Sequence, residues 1–230
     1  MIESAELPKT AQPSIGRFVE VYDELGKNGD SVISIQMMRS ISGTVDAARQ
    51  AADITETNVT VVDSDFTSRS MGMIVKEAAK AAQEGKSVEE ILEIVEDAKK
   101  RTTLYLTVVN LDNLIKGGRI SQVMGMFSNL LNIKLFLQVI NGKIEIIQKG
   151  RGLKSLQKKY DEIFEQMKAA PNGIQEIGIM HAGLSDFNEG NIARVRELFP
   201  DVPLTIVTTS PIIMSHTGVD AMAITYLENK

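Results

Sequence analysis

The sequence predicts an α/β protein of two domains, and two observations lead to this prediction. Short β-branched runs alternate with helical patterns over residues 15–101, which is typical of a parallel sheet covered by helices. Beyond that point a hairpin signal joins two strands and further strands mix with helices, which favours a mixed or antiparallel sheet. We therefore predict an N-terminal α/β domain over residues 1–102 and a C-terminal α+β domain over residues 103–230.

The elements of the first domain follow from apolar periodicity and from the residues that begin and end helices. The predicted helices cover residues 15–27, 44–53, 69–84 and 88–101, and the buried strands cover residues 31–37 and 58–64. Gly26 and Gly85 end two of these helices. Ser87 and Glu90 have the spacing of a capping box at the start of the fourth helix.

The second domain contains more strands than the first. Predicted strands cover residues 103–109, 134–140, 143–149, 176–182, 204–210 and 222–227, and predicted helices cover 120–132, 152–170 and 188–198. Asn141 and Gly142 stand between two apolar runs and predict a tight hairpin, because both residues tolerate a positive φ. The segment around His216 is interpreted as a loop rich in small residues.

Composition excludes several classes of function. The net charge of −5 argues against broad nucleic-acid binding, which needs a basic face. The absence of cysteine removes disulfides, thiolate metal sites and cysteine nucleophiles. No apolar run reaches the roughly 18 residues of a membrane span, and the N-terminus lacks the features of a signal peptide. The composition thus predicts a soluble, cytoplasmic protein.

The most informative segment, residues 37–53, passes from an apolar run through small hydroxyl residues into an alanine-rich helix. The start of a helix offers unpaired N–H groups and the positive end of the dipole. Ser42 and Thr44 add hydroxyls, and Gly43 lets a ligand approach the backbone closely. These neutral donors suit one carboxylate or phosphate. The residues alone leave open a second interpretation, in which Ser42 only caps the helix.

The preceding loop, residues 7–16, carries two more hydroxyls. Pro8 and Pro13 keep this loop extended, and Thr10 and Ser14 lie on it. Taken alone, the loop is weak evidence for a site, because Ser14 also suits the N-cap of the helix that follows.

Two cationic segments lie in the second domain. Lys116 and Arg119 flank a Gly-Gly pair and suit either an anion or the terminal carbonyls of a helix, and the second use is favoured. Arg151 and Lys154 stand at the start of a helix, where a cation opposes the dipole, which hints at an anionic partner.

The two histidines differ in setting. His216 lies beside Thr217 and Gly218, where histidine suits a phosphate ligand or an acid/base group, and His181 ends a strand and is interpreted as structural. Two histidines without clustered carboxylates do not predict a metal site. The sequence contains no Walker loop, dinucleotide-binding fingerprint or nucleophile elbow. It therefore predicts no catalytic residues.

Five stretches, in this order, resemble the DegV family. They are KTAQPS (9–14), SISGTVDAARQAA (40–52), IKGGRIS (115–121), LLNIKLFLQVINGKI (130–144) and SHTGVDA (215–221). The resemblance covers the whole chain. It implies two α/β domains that bind a long-chain fatty acid and catalyse no reaction themselves. In bacteria that have the partner kinase, it implies that the protein presents the carboxylate for phosphorylation to an acyl phosphate.

The resemblance also implies a site. The hydroxyls that hold the carboxylate in the family correspond to Thr10 and Ser42, and Gly43 and Thr44 of the same helix start complete the predicted carboxylate site. The predicted contacts to the incoming phosphate are Arg151, His216 and Thr217. No metal and no cofactor other than the bound fatty acid is expected.

The sequence departs from the family pattern in two places. A strand with a Thr-Asp-Ser-Thr motif usually opens the family and is missing here. Either the sequence is a fragment of a longer chain, or the first domain lacks this element and its ligand pocket is partly open. Val219 and Asp220 replace a proline and a glycine after the His-Thr-Gly motif. An acidic side chain beside a phosphate is unfavourable, which counts against kinase coupling more than against lipid binding.

Apolar burial is the energetic demand of a fatty-acid tail, at about 0.8 kcal/mol per CH₂. The candidate tail-lining residues are Met37, Met71, Met73, Ile74, Met124, Met126, Phe127, Leu130, Leu131 and Ile133. Two alternatives stay open at this point. One is a sugar-phosphate binding or isomerase-type domain that uses the Ser-x-Ser-Gly loop, and the other is a regulatory module without a ligand.

Overall fold

The computed structural model describes residues 7–119 and 133–230. The helix predicted over residues 120–132 lies outside them. The described helices are α1 (Ile15–Leu25), α2 (Thr44–Ala52), α3 (Ser68–Gln83), α4 (Val88–Arg101), α5 (Asp112–Lys116), α6 (Leu153–Lys168), α7 (Asp186–Leu198) and α8 (Pro211–Thr217). The described strands are β1 (Val32–Gln36), β2 (Val59–Asp63), β3 (Thr102–Val108), β4 (Ile133–Ile140), β5 (Lys143–Arg151), β6 (Ile174–His181), β7 (Leu204–Thr208) and β8 (Met222–Glu228).

Contacts group these elements into two units. One, here called the α1–α4 unit, comprises residues 11–100 together with 141–143. The other, here called the six-stranded unit, comprises the described residues 7–10, 101–119, 133–140 and 144–230. The division predicted between residues 102 and 103 stays a prediction.

The α1–α4 unit contains the parallel pair that the alternating pattern predicts. Strands β1 and β2 run parallel, with Val32 opposite Val59 and Gln36 opposite Asp63. The start of α4 has the predicted capping box, because the Ser87 N–H donates to Glu90 Oε2 at 2.8 Å and the Glu90 N–H donates to Ser87 Oγ at 3.3 Å. Local sequence signals therefore account for the order and type of these elements.

The six-stranded unit has a mixed sheet in the order β5-β4-β3-β8-β6-β7. Strands β6 and β7 are parallel, whereas β3 pairs antiparallel with β4 and β8, and β6 pairs antiparallel with β8. The hairpin between β4 and β5 turns at Asn141 and Gly142, whose φ angles are 49° and 69°. The predicted fold class, with a small parallel sheet and a larger mixed sheet, is confirmed.

A cluster of aromatic rings forms the core of the six-stranded unit. The Tyr160 ring centroid lies 4.9 Å from that of Phe136 and 5.9 Å from that of Phe164, and all three side chains are buried. The Tyr160 hydroxyl is 2.5 Å from the Thr107 hydroxyl on β3. Burial raises the pKa of Tyr160, so the phenol keeps its proton. This pair satisfies two polar groups inside an apolar core.

The loop predicted around His216 is wrong, because that segment forms helix α8. Ser210 is its N-cap and accepts a hydrogen bond from the Ile213 N–H at 3.4 Å, and Pro211 takes the first helical position. Proline suits this position because its missing N–H would have no helical partner. The Ser-Pro dipeptide is a sequence signal for the start of a helix, but a helix this short shows little apolar periodicity. His216 thus lies in the last turn of a helix.

Candidate functional site

The predicted carboxylate donors of the α1–α4 unit meet at the start of α2. Ser42 Oγ accepts a hydrogen bond from the Thr44 N–H at 3.3 Å and lies 2.7 Å from Thr44 Oγ1. Ser42 is half-buried and Thr44 is buried. If the Thr44 hydroxyl donates to Ser42 Oγ, the Ser42 hydrogen is free to donate outward. In the opposite arrangement Ser42 donates to Thr44 Oγ1, and the Thr44 hydrogen is the free one.

Gly43 is the N-cap of α2, and its backbone conformation does not require glycine. Its φ is −72°, which any residue can adopt. A Cβ at this position would overlap the carboxamide oxygen of Gln12. The side chain of Gln12 therefore lies directly against the backbone at the start of the helix. Small anionic groups bind at such helix starts.

Backbone contacts hold the loop before α2. The Met38 N–H donates to the Phe66 carbonyl at 2.7 Å, and the Arg39 N–H donates to the Asp63 carboxylate at 3.2 Å. Arg39 also pairs with Asp46 in the first turn of α2, with 3.0 Å between Nε and Oδ1. Both side chains of this pair are substantially exposed, so it adds little stability. The loop is fixed mainly by its attachment to the end of β2.

A cavity of about 840 Å³ lies in the α1–α4 unit. Helices α1, α3 and α4 line it together with strand β1. Its apolar wall includes Phe18, Val21, Ile33, Val75 and Ile91. The volume falls in the range of about 300–1,000 Å³ that is usual for small-molecule sites.

Three polar side chains in the cavity wall pair with one another. The Tyr22 hydroxyl is 2.7 Å from Ser34 Oγ, and Gln36 Nε2 donates to the same oxygen at 2.8 Å. Burial raises the pKa of Tyr22. Because these groups satisfy each other, this part of the wall is suited to an apolar ligand. Pro13, which also lines the cavity, directly follows Gln12, so one loop borders both the cavity and the start of α2.

Only part of the predicted tail lining can be compared with this cavity. Met124, Met126, Phe127, Leu130 and Leu131 lie outside the described residues. Of the others, Met73 and Ile74 are fully buried in α3. The cavity wall on α3 is instead formed by Val75, Ala78, Ala79 and Ala82. The methionine content therefore did not identify the residues that line this space.

In the six-stranded unit, two predicted site residues from opposite ends of the chain form a pair. Thr10 Oγ1 lies 2.8 Å from Nε2 of His216. Both residues are half-buried. Burial lowers the pKa of His216, and the positive charge of Arg119 lowers it further. Both effects favour the neutral form of the imidazole.

The hydrogen bonds around the ring favour one tautomer. His216 Nδ1 is buried and has no partner among the residues that the structure describes. An unpaired N–H inside a protein is rarer than an unpaired acceptor, so the ring proton belongs on Nε2. The Nε2–H group then donates to Thr10 Oγ1. This leaves the Thr10 hydroxyl hydrogen free to donate to an anion.

Arg119 was interpreted as more suited to helix carbonyls than to an anion, and its contact agrees with that use. Its Nη1 donates to the Gly117 carbonyl at 3.0 Å, just after α5. Its influence on His216 was not apparent from the sequence, because about a hundred positions separate the two residues. No local pattern signals such a pairing.

The remaining predicted contacts have different surroundings. Thr217 is buried, and its hydroxyl donates to the Ile213 carbonyl at 3.1 Å within α8. Arg151 is exposed as the last residue of β5. Asp220, which follows the His-Thr-Gly motif by two positions, has a φ of 61°, a conformation that favours glycine. The assignment of Arg151, His216 and Thr217 to a phosphate stays a prediction.

Within residues 7–119 and 133–230, no group of three or more histidine, aspartate or glutamate side chains is placed to hold a metal ion. No described helix is long and apolar enough to cross a membrane.

Known proteins are similar to this chain over almost its full length. The model of a family described as "Uncharacterised protein, DegV family" matches residues 1–229. A DegV domain-containing protein from Streptococcus pneumoniae serotype 4 is 42% identical over 224 residues, which is 97% of this chain and 79% of that protein. These matches extend through both groups of predicted site residues.

Two solved structures have the same fold. The crystal structure of DegV, a fatty acid binding protein from Bacillus subtilis, is 29% identical with a TM-score of 0.86, and covers 97% of this chain and 80% of that one. A DegV family protein from Thermus thermophilus, described with fatty acid binding, is 31% identical with a TM-score of 0.82, and covers 99% and 81% of the two chains.

Proposed function

Because this chain belongs to the DegV family, we propose that it binds a long-chain fatty acid. The Bacillus subtilis and Thermus thermophilus proteins are described as binding fatty acids. This chain is proposed to act as a binding protein that makes and breaks no bonds itself. The ligand is the fatty acid, without a further cofactor.

The observation that carries this proposal is the state of two hydroxyls. Ser42 Oγ accepts from the Thr44 N–H, and Thr10 Oγ1 pairs with His216 Nε2. With the ring proton on Nε2 the Thr10 hydroxyl hydrogen is available to a ligand, and with Thr44 Oγ1 donating to Ser42 Oγ the Ser42 hydrogen is available as well. Such neutral donors bind an ionised carboxylate without a buried ion pair, which would have a large desolvation cost. The proposed carboxylate ligands are accordingly Thr10 and Ser42, with Gly43 and Thr44 at the helix start.

The proposed place of the hydrocarbon tail is the cavity in the α1–α4 unit. Burial of each CH₂ contributes about 0.8 kcal/mol, so a tail of about sixteen carbons contributes roughly ten kcal/mol before the cost of ordering it. The self-paired polar groups of Tyr22, Ser34 and Gln36 leave few unmet hydrogen bonds for an apolar chain to disrupt. The loop of Gln12 and Pro13 borders both the cavity and the start of α2.

A further part of the proposal concerns a partner. Where a fatty-acid kinase is present, we expect this protein to present the carboxylate to it, with Arg151, His216 and Thr217 toward the incoming phosphate. The cytoplasmic location predicted from the sequence is part of the same proposal.

Solvent extraction of the purified protein followed by mass spectrometry tests the proposed ligand. We expect about one C14–C18 fatty acid per chain. A double variant, Thr10→Ala with Ser42→Ala, should lose most of this lipid while its circular dichroism spectrum stays unchanged. Ser155→Ala, which removes an exposed hydroxyl from α6, serves as the control and should keep its lipid.

The outcomes separate the parts of the proposal. Full lipid content in the double variant would show that the carboxylate site is assigned wrongly. A protein that carries no fatty acid and binds no added palmitate would contradict the function itself. A bound sugar phosphate would favour the alternative function that the Ser-x-Ser-Gly loop left open.

A further inference from the structure

We infer that helix α5 positions the imidazole of His216, with Gly117 providing the space for the ring and Asn113 fixing the backbone that precedes it. The inference rests on the proposed function, in which His216 orients the Thr10 hydroxyl toward the ligand. It makes Gly117 and Asn113 positioning residues, since neither is proposed to touch the fatty acid.

Gly117 is a glycine because of the ring beside it. Its φ of −77° is open to any residue, so backbone conformation does not require glycine here. A Cβ at this position would overlap His216 Nδ1 and would lie 2.8 Å from the Asn113 carbonyl oxygen. The imidazole therefore rests directly on the end of α5.

Gly118, the next residue, is a glycine for the opposite reason. Its φ is +69°, and a Cβ there would meet no atom within 4 Å. Conformation requires the second glycine of the pair, whereas space for the ring requires the first. The two residues therefore provide a matched comparison.

Asn113 ties α5 to the last turn of α8. Its side-chain Nδ2 donates to the carbonyls of Met214 and Ser215, at 3.4 Å and 3.2 Å. These two carbonyls directly precede His216 in the chain. A Cβ at Gly218, which follows that turn, would lie 3.4 Å from Asn113 Cγ. The Asn113 side chain thus holds the backbone before the histidine and leaves little room for a side chain at Gly218.

The consequence for the ring is a fixed direction. With Nδ1 buried against Gly117, the opposite nitrogen, Nε2, faces Thr10 at 2.8 Å. A displaced ring would lose this hydrogen bond, and the Thr10 hydroxyl would no longer be held in a fixed orientation. We therefore expect α5 to control the affinity of the carboxylate site from outside it.

The test is Gly117→Ala, with two readouts on the full chain. The first is the ¹⁵N NMR signals of the His216 ring in lipid-free protein, and the second is the dissociation constant for palmitate. We expect the ring signals to shift and the affinity to fall about tenfold, the effect of one lost hydrogen bond. Gly118→Ala strains the backbone without touching the ring, and it should shift those signals much less.

A second comparison, made in His216→Ala protein, separates the effect of the ring from that of the Asn113 carbonyl. In His216→Ala protein the overlap with Nδ1 is gone, so Gly117→Ala should cause little further loss of affinity. An equal loss in both backgrounds would overturn the inference, and so would unchanged ring signals in Gly117→Ala. A shifted ring with unchanged palmitate affinity would support the positioning and contradict the role of His216 in the proposed function.

Discussion

The hydroxyl of Thr10 lies 2.8 Å from Nε2 of His216, although 206 positions separate the two residues. The loop at one end of the chain is thereby joined to helix α8 near the other end. Burial and the charge of Arg119 both favour the neutral form of the ring. The pair therefore depends on pH in a direction that can be stated.

We expect the His216 contribution to stability to weaken in acid. The folded-state pKa lies below the ordinary histidine value of about 6.5. Between the two values the unfolded chain binds more protons, so stability decreases as the pH falls. The contribution is present above about pH 6.5 and is lost as the pH falls through the lowered pKa.

Urea unfolding of the native protein and of His216→Gln, measured from pH 8 to pH 5, checks this expectation. Carboxylates titrate equally in both proteins, so the difference between their free energies of unfolding reports on the histidine. The difference should be constant above about pH 6.5 and should shift in favour of the variant below it. A shift of opposite sign would mean that the ring is stabilised in its charged form.

Local signals in the sequence account for most of the fold. Asn141 and Gly142 identified the hairpin, because the two positive φ angles that it needs are a property of those residues. Ser87 and Glu90 identified the start of α4 in the same way. Helix α8 was missed, since its seven residues form barely two turns and display no apolar stripe. Its capping signal, Ser210 before Pro211, was the usable evidence.

The site was less predictable than the fold. Ser42 and Thr44 are two positions apart, so the sequence brought their hydroxyls together. The contact of His216 with Thr10, and the overlap that explains Gly117, depend on chain segments that meet only after folding. Periodicity describes single elements and carries no information about such long-range contacts. The cavity wall on α3 could not be predicted either. It is formed largely by alanines, whose small side chains give no sequence pattern that indicates a cavity.

The buried hydroxyl pair of Thr107 and Tyr160 predicts a strongly non-additive response. Thr107→Val leaves the Tyr160 hydroxyl without its partner, and Tyr160→Phe does the same to Thr107. Each single change should lower the free energy of unfolding by about 1–3 kcal/mol, the cost of an unsatisfied buried group. The double variant should be less destabilised than the sum of the two, because it leaves no orphaned hydroxyl from this pair.

Chemical denaturation of the four proteins of this cycle measures the coupling directly. Trp is absent from the sequence, so circular dichroism is the suitable probe. Additive effects within about 0.3–0.5 kcal/mol would show that the two hydroxyls do not depend on each other.

Two glycines predict opposite effects of the same substitution. Gly190 lies inside α7, and a Cβ there would meet no atom within 4 Å, so Gly190→Ala should stabilise the protein by about 0.5–1 kcal/mol. Gly142 has a φ of +69° in the hairpin, so Gly142→Ala should destabilise it by about 1–2 kcal/mol. Thermal unfolding of both variants measures the sign of each change in stability. Two changes of the same sign would contradict the explanation given for one of the two glycines.

The last prediction concerns the cavity of the α1–α4 unit, whose wall on α3 includes Ala78. Phenylalanine at this position should occupy space that the proposed tail needs. We expect Ala78→Phe to bind palmitate at least about tenfold more weakly, since a few CH₂ groups excluded from the cavity correspond to more than 1.4 kcal/mol. Shorter acids such as octanoate should lose less affinity, because they fill less of the space.

Ala193→Phe, at an exposed position of α7, provides the matched control and should leave both affinities unchanged. An equal loss of affinity for both acids in Ala78→Phe would indicate a disturbed fold, which circular dichroism identifies. Unchanged palmitate affinity in a folded variant would place the tail outside this cavity.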